Sequence, residues 1–402
     1  MSIIQNVKGR QVFDSRGNPT VEAEIILQDG SVGTSIVPSG ASTGRYEAHE
    51  LRDKNKDYLN KSVFNAVDNI NNKISKVLVG KDVFNQKNID EILINLDGTE
   101  NKSKIGANAI LAASIASLKV SAKISKNEIF KHNNKTDNFF IPYPLMNIIN
   151  GGAHANNSLE IQEFMIRPDG ADSFTKCLQM SFLVIQNLKK LLEKKNLSTN
   201  VGDEGGFAPS LTSDDEAIEI IIESIKLAGL KPGKDVSICL DVAANELLKP
   251  KKNEYYLELL KKYPITSIED PFSEDDWSSW KNLTEKTKIQ IVGDDLFVTN
   301  KKRLEKGIKN KSANAILIKP NQIGTISETL EAVDLAHKNG FKTIMSHRSG
   351  DSEDTFIADF AVSCGSSQIK TGSLARSERV SKYNRLIRIE EALGKSSKMA
   401  KI

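Results

Sequence analysis

The second half of the chain repeats one pattern: a short apolar run ending in a chemically capable residue, then a longer amphipathic stretch. Residues 237–240, 265–268, 289–292, 315–318 and 343–345 have strand length and lead into Asp241, Glu269-Asp270, Asp294-Asp295, Lys319 and His347-Arg348-Ser349. From Asp241 through Glu269, Asp294 and Lys319 to His347 the intervals are 28, 25, 25 and 28 residues. Runs that are apolar throughout suit strands buried on both faces, as in a parallel sheet. An interval of this size holds one strand and one helix, so the pattern predicts an α/β fold, either a closed β/α barrel or a doubly wound sheet. The helix before the first run is signalled by Ser213 as cap, Glu216 three residues on, and Gly229 as stop.

In a barrel the C-terminal ends of the strands share one mouth, where active sites sit. Any single charged residue after a strand is an ordinary solvated loop residue, but five in register at this spacing are poorly explained that way. Asp241, Glu269 and Asp294 would repel one another without a cation. Three hard oxygen donors suit Mg²⁺. Zinc fits less well, because the five histidines form no HExxH pattern and no cysteine ends a strand run. A lysine beside a dication has its charged form disfavoured, so Lys319 is suited to act as a general base. Two further acidic segments are flanked by glycines: Gly151-Gly152-Ala153-His154 leading to Gln162-Glu163, and Gly202-Asp203-Glu204-Gly205-Gly206. A plain turn is their alternative reading.

The first half reads differently. Val21, Ala23 and Ile25 alternate with Glu22 and Glu24, and Gln28-Asp29-Gly30-Ser31 makes a hairpin turn before residues 32–37. Helical spacing follows from residue 58 to residue 120. This is an α+β module, and the polar stretch 131–140 marks its end, giving domains 1–132 and 133–402. Residues 37–44, a run of small side chains that includes Ser39, suit a lid over the site. No GxxxxGK[ST] phosphate loop occurs.

Lys plus Arg total 55 against 52 Asp plus Glu, a net charge of +3, which implies no nucleic-acid partner. The N-terminus has no apolar signal-peptide core, and the most apolar stretch, 107–118, is too short and too polar to cross a membrane. Cys177, Cys239 and Cys364 form no motif, so a reducing cytoplasm fits.

The segments DSRGNPTVE, PSGASTG, DGTENKSKIGANAI, NIINGGAHA, QEFM, VGDEGGFAP, SIEDPF, QIVGDDLFVTN, NQIGT, SHRSGDSEDTFIAD and QIKTG occur in this order from Asp14 to Gly372. Together they closely resemble the enolase family. The resemblance implies a small α+β domain followed by a TIM-like barrel whose first units depart from regular alternation. It implies the interconversion of 2-phosphoglycerate and phosphoenolpyruvate with two Mg²⁺ ions, the first held by Asp241, Glu269 and Asp294, the second joined by Ser39 when substrate closes the site. By the same resemblance Lys319 is the base at C2, Glu204 with Glu163 the acid at the C3 hydroxyl, and His347 lies beside the leaving group. His154, Gln162, Arg348, Ser349 and Lys370 complete the substrate contacts, with Arg348 and Ser349 on the phosphate and Lys370 on the carboxylate. The family's homodimer, in some members an octamer, its cytoplasmic location and its secondary cell-surface pool come with it. After Ser349-Gly350, residues 351–354 read as an acidic helix start whose side chains would oppose a phosphate. Two alternatives remain: a non-catalytic relative, which would have lost a metal carboxylate or the lysine, and another enzyme of the superfamily with a different carboxylate substrate. Every residue the first alternative would lack is present, and Arg348 with Ser349 argues against the second.

Overall fold

The computed structural model describes residues 2–41, 43–132, 134 and 138–402. Ser42 of the lid run, and residues 133 and 135–137 at the expected domain boundary, lie outside the described residues.

Strand β1 (Ile4–Phe13) pairs antiparallel with β2 (Pro19–Leu27), which pairs antiparallel with β3 (Val32–Ile36). Val21, Ala23, Ile25 and Leu27 are buried while the intervening Glu22 and Glu24 are half-buried, the period of two that a one-sided sheet requires. The predicted hairpin turn forms, with Gly30 at φ +81 and Asp29 accepting from the Ser31 amide at 2.9 Å. The helix Ala107–Ile124 lies on this sheet. A Cβ at Gly33 would collide with the Ala116 carbonyl, so glycine allows the close approach. This helix is longer than the sequence reading allowed, running to Ile124, and is long and apolar enough for a membrane. Most of it is buried inside the protein, however.

The remaining strands close into a barrel: β4 (Tyr143–Asn150), β5 (Glu163–Arg167), β6 (Ser237–Asp241), β7 (Ile265–Glu269), β8 (Gln290–Gly293), β9 (Ala315–Ile318), β10 (Lys342–Ser346) and β11 (Gln368–Lys370), with β11 returning to β4. The choice between barrel and open sheet is thereby settled. The expected irregularity is in the first units: β5 is antiparallel to both β4 and β6, and two helices, Phe174–Lys194 and Asp214–Leu227, follow before alternation begins. Ser213 caps the second of these by accepting from the Glu216 amide at 3.2 Å. Leu145, Met165, Cys239, Val292, Ala315, Leu317 and Ile344 fill the barrel. Alternate residues such as Ile238, Leu240, Ile268 and Ile316 pack outward in the main core. Burial on both faces explains why these strands lack polar alternation.

Three contacts fix the first domain over the barrel mouth. Asp90 accepts from the Ser327 amide at 2.8 Å and its hydroxyl at 2.6 Å, so it caps the barrel helix Ile326–Lys338 from outside. Lys119 pairs with Asp354 at 2.6 Å. Ser39 and Gly350 exchange backbone hydrogen bonds of 2.8 and 2.9 Å, tying the root of the lid run to the loop after β10.

Candidate active site

The strand ends bring the predicted residues together. Asp241, Glu269 and Lys370 are the last residues of β6, β7 and β11, while Asp294, Lys319 and His347 directly follow β8, β9 and β10. Glu163 reaches the same rim from the opposite direction: because β5 is antiparallel, its first residue pairs with Asp241, the last of β6. A small, largely enclosed cavity is lined by His154, Gln162, Glu163, Glu204, Asp241, Asp294, Lys319, Ser346, His347, Arg348, Ser349 and Lys370. A larger cleft elsewhere, lined among others by Arg167, Lys288 and Lys342, presents no Asp or Glu side chain among the described residues.

Two lysines neutralise the carboxylates. Lys370 Nζ lies 2.8 Å from Asp241, 2.9 Å from Glu269 and 3.3 Å from Glu163, and Lys319 Nζ pairs with Asp294. Burial opposes the charge on Lys370, but Asp241, Glu163 and Glu269 outweigh it and hold its pKa well above the usual lysine value. Burial, then the nearby Asp241 charge, pushes Glu269 well above the carboxylate range. For Lys319, burial is outweighed by Asp294, so its pKa is raised. The sequence expectation of a lowered value applies to a lysine beside a dication; here the nearest charge is the Asp294 carboxylate. Lowering the pKa of Lys319 requires that Asp294 be engaged by another positive charge.

The donor set can be tested for a cation. Among the described residues, ligand atoms converge within 4.8 Å in two groups of three, His154/Glu163/Glu204 and Asp270/Asp294/Asp295. In the second, both Asp270 oxygens accept backbone amides, of Asp294 at 2.9 Å and Asp295 at 2.8 Å, so Asp270 is a brace for the end of β8. The predicted trio of Asp241, Glu269 and Asp294 is instead held by the two lysines. Among the described residues, the rim carboxylates Glu163, Glu204, Asp241, Glu269 and Asp294 outnumber the cationic side chains that act on them, Lys319, Lys370, Arg348 and Arg379, and Arg348 is itself bound to Glu47. Buried oxygen donors on adjacent strands with an excess of negative charge fit a hard divalent cation.

Glu204 is surrounded by nitrogen donors. His347 Nε2 is 3.5 Å away, His154 Nδ1 3.7 Å, and Asn147 Nδ2 donates at 3.2 Å. His154 Nδ1 is also 3.6 Å from Glu163, and its Nε2 is 3.4 Å from the Ser349 hydroxyl. Burial and then the Glu204 charge push Glu163 well above the ordinary range. Burial works the same way on Glu204, but His347, His154 and Arg379 hold it below. Two buried carboxyls this coupled titrate as one pair, in which Glu163 is the more readily protonated member. Burial pushes His347 down to about 4, so its ring is neutral at pH 7. Gln162 Oε1 and Glu163 Oε2 are buried without a hydrogen-bond partner among the described residues.

Arg348, expected on a phosphate, forms a bidentate pair with Glu47 at 2.9 and 3.1 Å and donates to Asn321 at 3.0 Å. Residues 351–354 are not a helix start; the helix begins at Phe356. Asp351 pairs with Lys382 at 2.9 Å and Asp354 with Lys119, so internal pairing offsets the expected opposition of these two acids to a phosphate. Ser39 is not in the cavity: its hydroxyl donates to Glu50 at 3.0 Å and accepts from Arg52 at 3.0 Å. This arrangement therefore does not bring Ser39 to the carboxylates. Sequence reasoning missed Glu47, Asn147, Asp270 and Arg379, since Glu47 lies just beyond the lid run, Asn147 and Arg379 are within a strand and a helix, and Asp270 was overshadowed by Glu269.

Residues 4–132 match the family described as enolase, N-terminal domain, and residues 138–259 and 249–402 match enolase, C-terminal TIM barrel domain. A curated relative, "Enolase" of Pelagibacter ubique (strain HTCC1062), is 58% identical over 418 residues, covering 100% of both chains. Both halves of the molecule thus match in the order in which the fold places them, and the chain belongs to the enolase family.

Proposed function

We propose that this enolase-family lyase catalyses the Mg²⁺-dependent, reversible dehydration of 2-phospho-D-glycerate to phosphoenolpyruvate in glycolysis and gluconeogenesis. The observation that carries the reading is that one cavity gathers a lysine, metal-type carboxylates, a carboxyl–imidazole cluster and an anion-binding arginine. Asp241, Glu269 and Asp294 would hold Mg²⁺, with two ions in the substrate complex, and the ions supply neutralisation of charge growing on the substrate carboxylate.

Lys319 takes the C2 proton through its free amine, which requires that its pairing with Asp294 be given up. Lys370 directs its ammonium at the substrate carboxylate, whose negative charge grows as the proton leaves; this favours the transition state over the ground state. The proton for the departing C3 hydroxyl comes from the Glu163–Glu204 pair rather than from either residue alone. Neutral His347, with His154 beside both carboxyls, shapes the hydrogen bonding of that pair. Arg348 exchanges Glu47 for the phosphate, with Ser349 beside it. The same reading takes the chain as cytoplasmic and homodimeric, and the free thiols of Cys177, Cys239 and Cys364 support a reducing compartment.

The test is to add 2-phosphoglycerate with and without Mg²⁺ and follow phosphoenolpyruvate by its ultraviolet absorbance. Signal only with Mg²⁺ is expected; folded protein giving no Mg²⁺-dependent signal sinks the proposal.

A further inference from the structure

We infer that Arg379 is a positioning residue for this site: it fixes His347 as the tautomer protonated at Nε2, facing Glu204, and ties the acid loop to the anion-binding loop. The functional side of the inference rests on the hydratase reading above; the tautomer does not.

Arg379 sits in the helix Ser377–Leu393, and its side chain is 0% exposed. Its guanidinium reaches three successive residues of the loop after β10: Nη1 meets His347 Nδ1 at 2.5 Å and donates to the Arg348 carbonyl at 2.7 Å, and Nη2 donates to the Ser349 carbonyl at 2.6 Å. Nη2 also donates to the carbonyl of Asp203, the neighbour of Glu204, at 3.1 Å. A guanidinium has donors and no acceptor, so His347 Nδ1 must be the acceptor. The proton of the neutral ring then lies on Nε2, the atom 3.5 Å from Glu204 Oε2. Which nitrogen carries the proton is set by what the other nitrogen meets.

The surroundings are built for this side chain. Asp351 at 3.6 Å and Glu378 at 3.5 Å balance its charge. Gly372, at φ +74, leaves the passage that the stem uses, since a Cβ there would stand 3.0 Å from Arg379 Cδ. One planar fork serves four acceptors on two loops. A lysine ammonium, with its donors on a single atom, cannot reproduce that span.

The experiment is ¹⁵N-histidine NMR on the full-length protein, with the His347 signals assigned by their loss in His347→Gln, alongside steady-state kinetics of Arg379→Lys. In the unaltered protein between pH 6 and 8, a bare Nδ1 and a protonated Nε2 are expected. Arg379→Lys should lose that pattern and lower kcat by about 100-fold, the scale of a roughly 1 Å misplacement. His347 protonated at Nδ1 in the unaltered protein overturns the inference without using a variant. So does an Arg379→Lys protein that keeps both the signature and kcat. The Nε2 signature in protein that turns over no 2-phosphoglycerate supports the tautomer and overturns the hydratase reading.

Discussion

Replacing Lys370 by Met removes a buried charge while nearly preserving the volume of the stem, so the consequence is electrostatic rather than a packing defect. Its ammonium touches Asp241, Glu269 and Glu163 at 2.8, 2.9 and 3.3 Å, and all four side chains are at most 6% exposed. At an effective dielectric of about 20, each contact is worth about 5–6 kcal/mol of gross attraction when its carboxylate is ionised. Carboxylate repulsion and desolvation consume most of that, and removing one partner of a buried pair typically costs about 3–5 kcal/mol net. We expect Lys370→Met to lose about that much stability in urea denaturation with EDTA present. Saturating Mg²⁺ should restore more stability to the variant than it adds to the parent, since bound cation replaces the missing charge. The pH dependence has a definite sign. Glu163 and Glu269 have native pKa values well above the ordinary 4.5, so their contribution to stability is fully present below about that pH and is lost as pH rises through the native values. The deficit of the variant should therefore be larger at pH 8 than at pH 5. A loss under about 1 kcal/mol, or equal Mg²⁺ recovery in both proteins, would refute the counter-ion argument.

Glu47→Gln frees Arg348 from its bidentate anion, so inorganic phosphate should bind about 3- to 10-fold more tightly by calorimetry, the range of one charge-assisted contact partly replaced by a neutral one; weaker binding would show that Glu47 aids the anion site. Asp90, pushed by burial to about 6 from its ordinary 3.8, adds stability that is fully present below about pH 4 and is lost as pH rises through about 6. Asp90→Asn should flatten that part of the urea-midpoint profile relative to the parent, and an unchanged slope would refute the assignment. Ser213→Ala should cost about 1 kcal/mol through loss of the helix cap, with no effect on turnover; a fall in kcat would refute its purely structural role.

The parallel strands were readable because burial on both faces leaves an unbroken apolar run, and their terminal residues then count off βα units. Strands β4, β5 and β11 escaped that reading. Glu163 opens its strand instead of closing it, so only the antiparallel pairing with Asp241 reveals why it shares the rim. Lys319 and the carboxylates were legible as a set, and Lys370 only through the family resemblance, but their pairing was not: the direction of the Lys319 shift depends on a contact with Asp294 that spacing cannot supply. Asp351 and Asp354 looked like a repulsive helix start because their partners, Lys382 and Lys119, lie at least 31 residues away. Glu47 and Arg379 act by contacts across the domain interface and from a helix packed behind the site, where sequence gives no periodic signal.

The central claim is a division of labour, with Lys319 removing the C2 proton and the Glu163–Glu204 pair releasing the C3 hydroxyl. Exchange of the C2 hydrogen of 2-phosphoglycerate in deuterated water, measured beside phosphoenolpyruvate formation, tests it most directly. Lys319→Ala should lose both activities, whereas Glu204→Gln should continue to exchange while forming little phosphoenolpyruvate. Equal loss of exchange and dehydration in Glu204→Gln, or surviving exchange in Lys319→Ala, would contradict it.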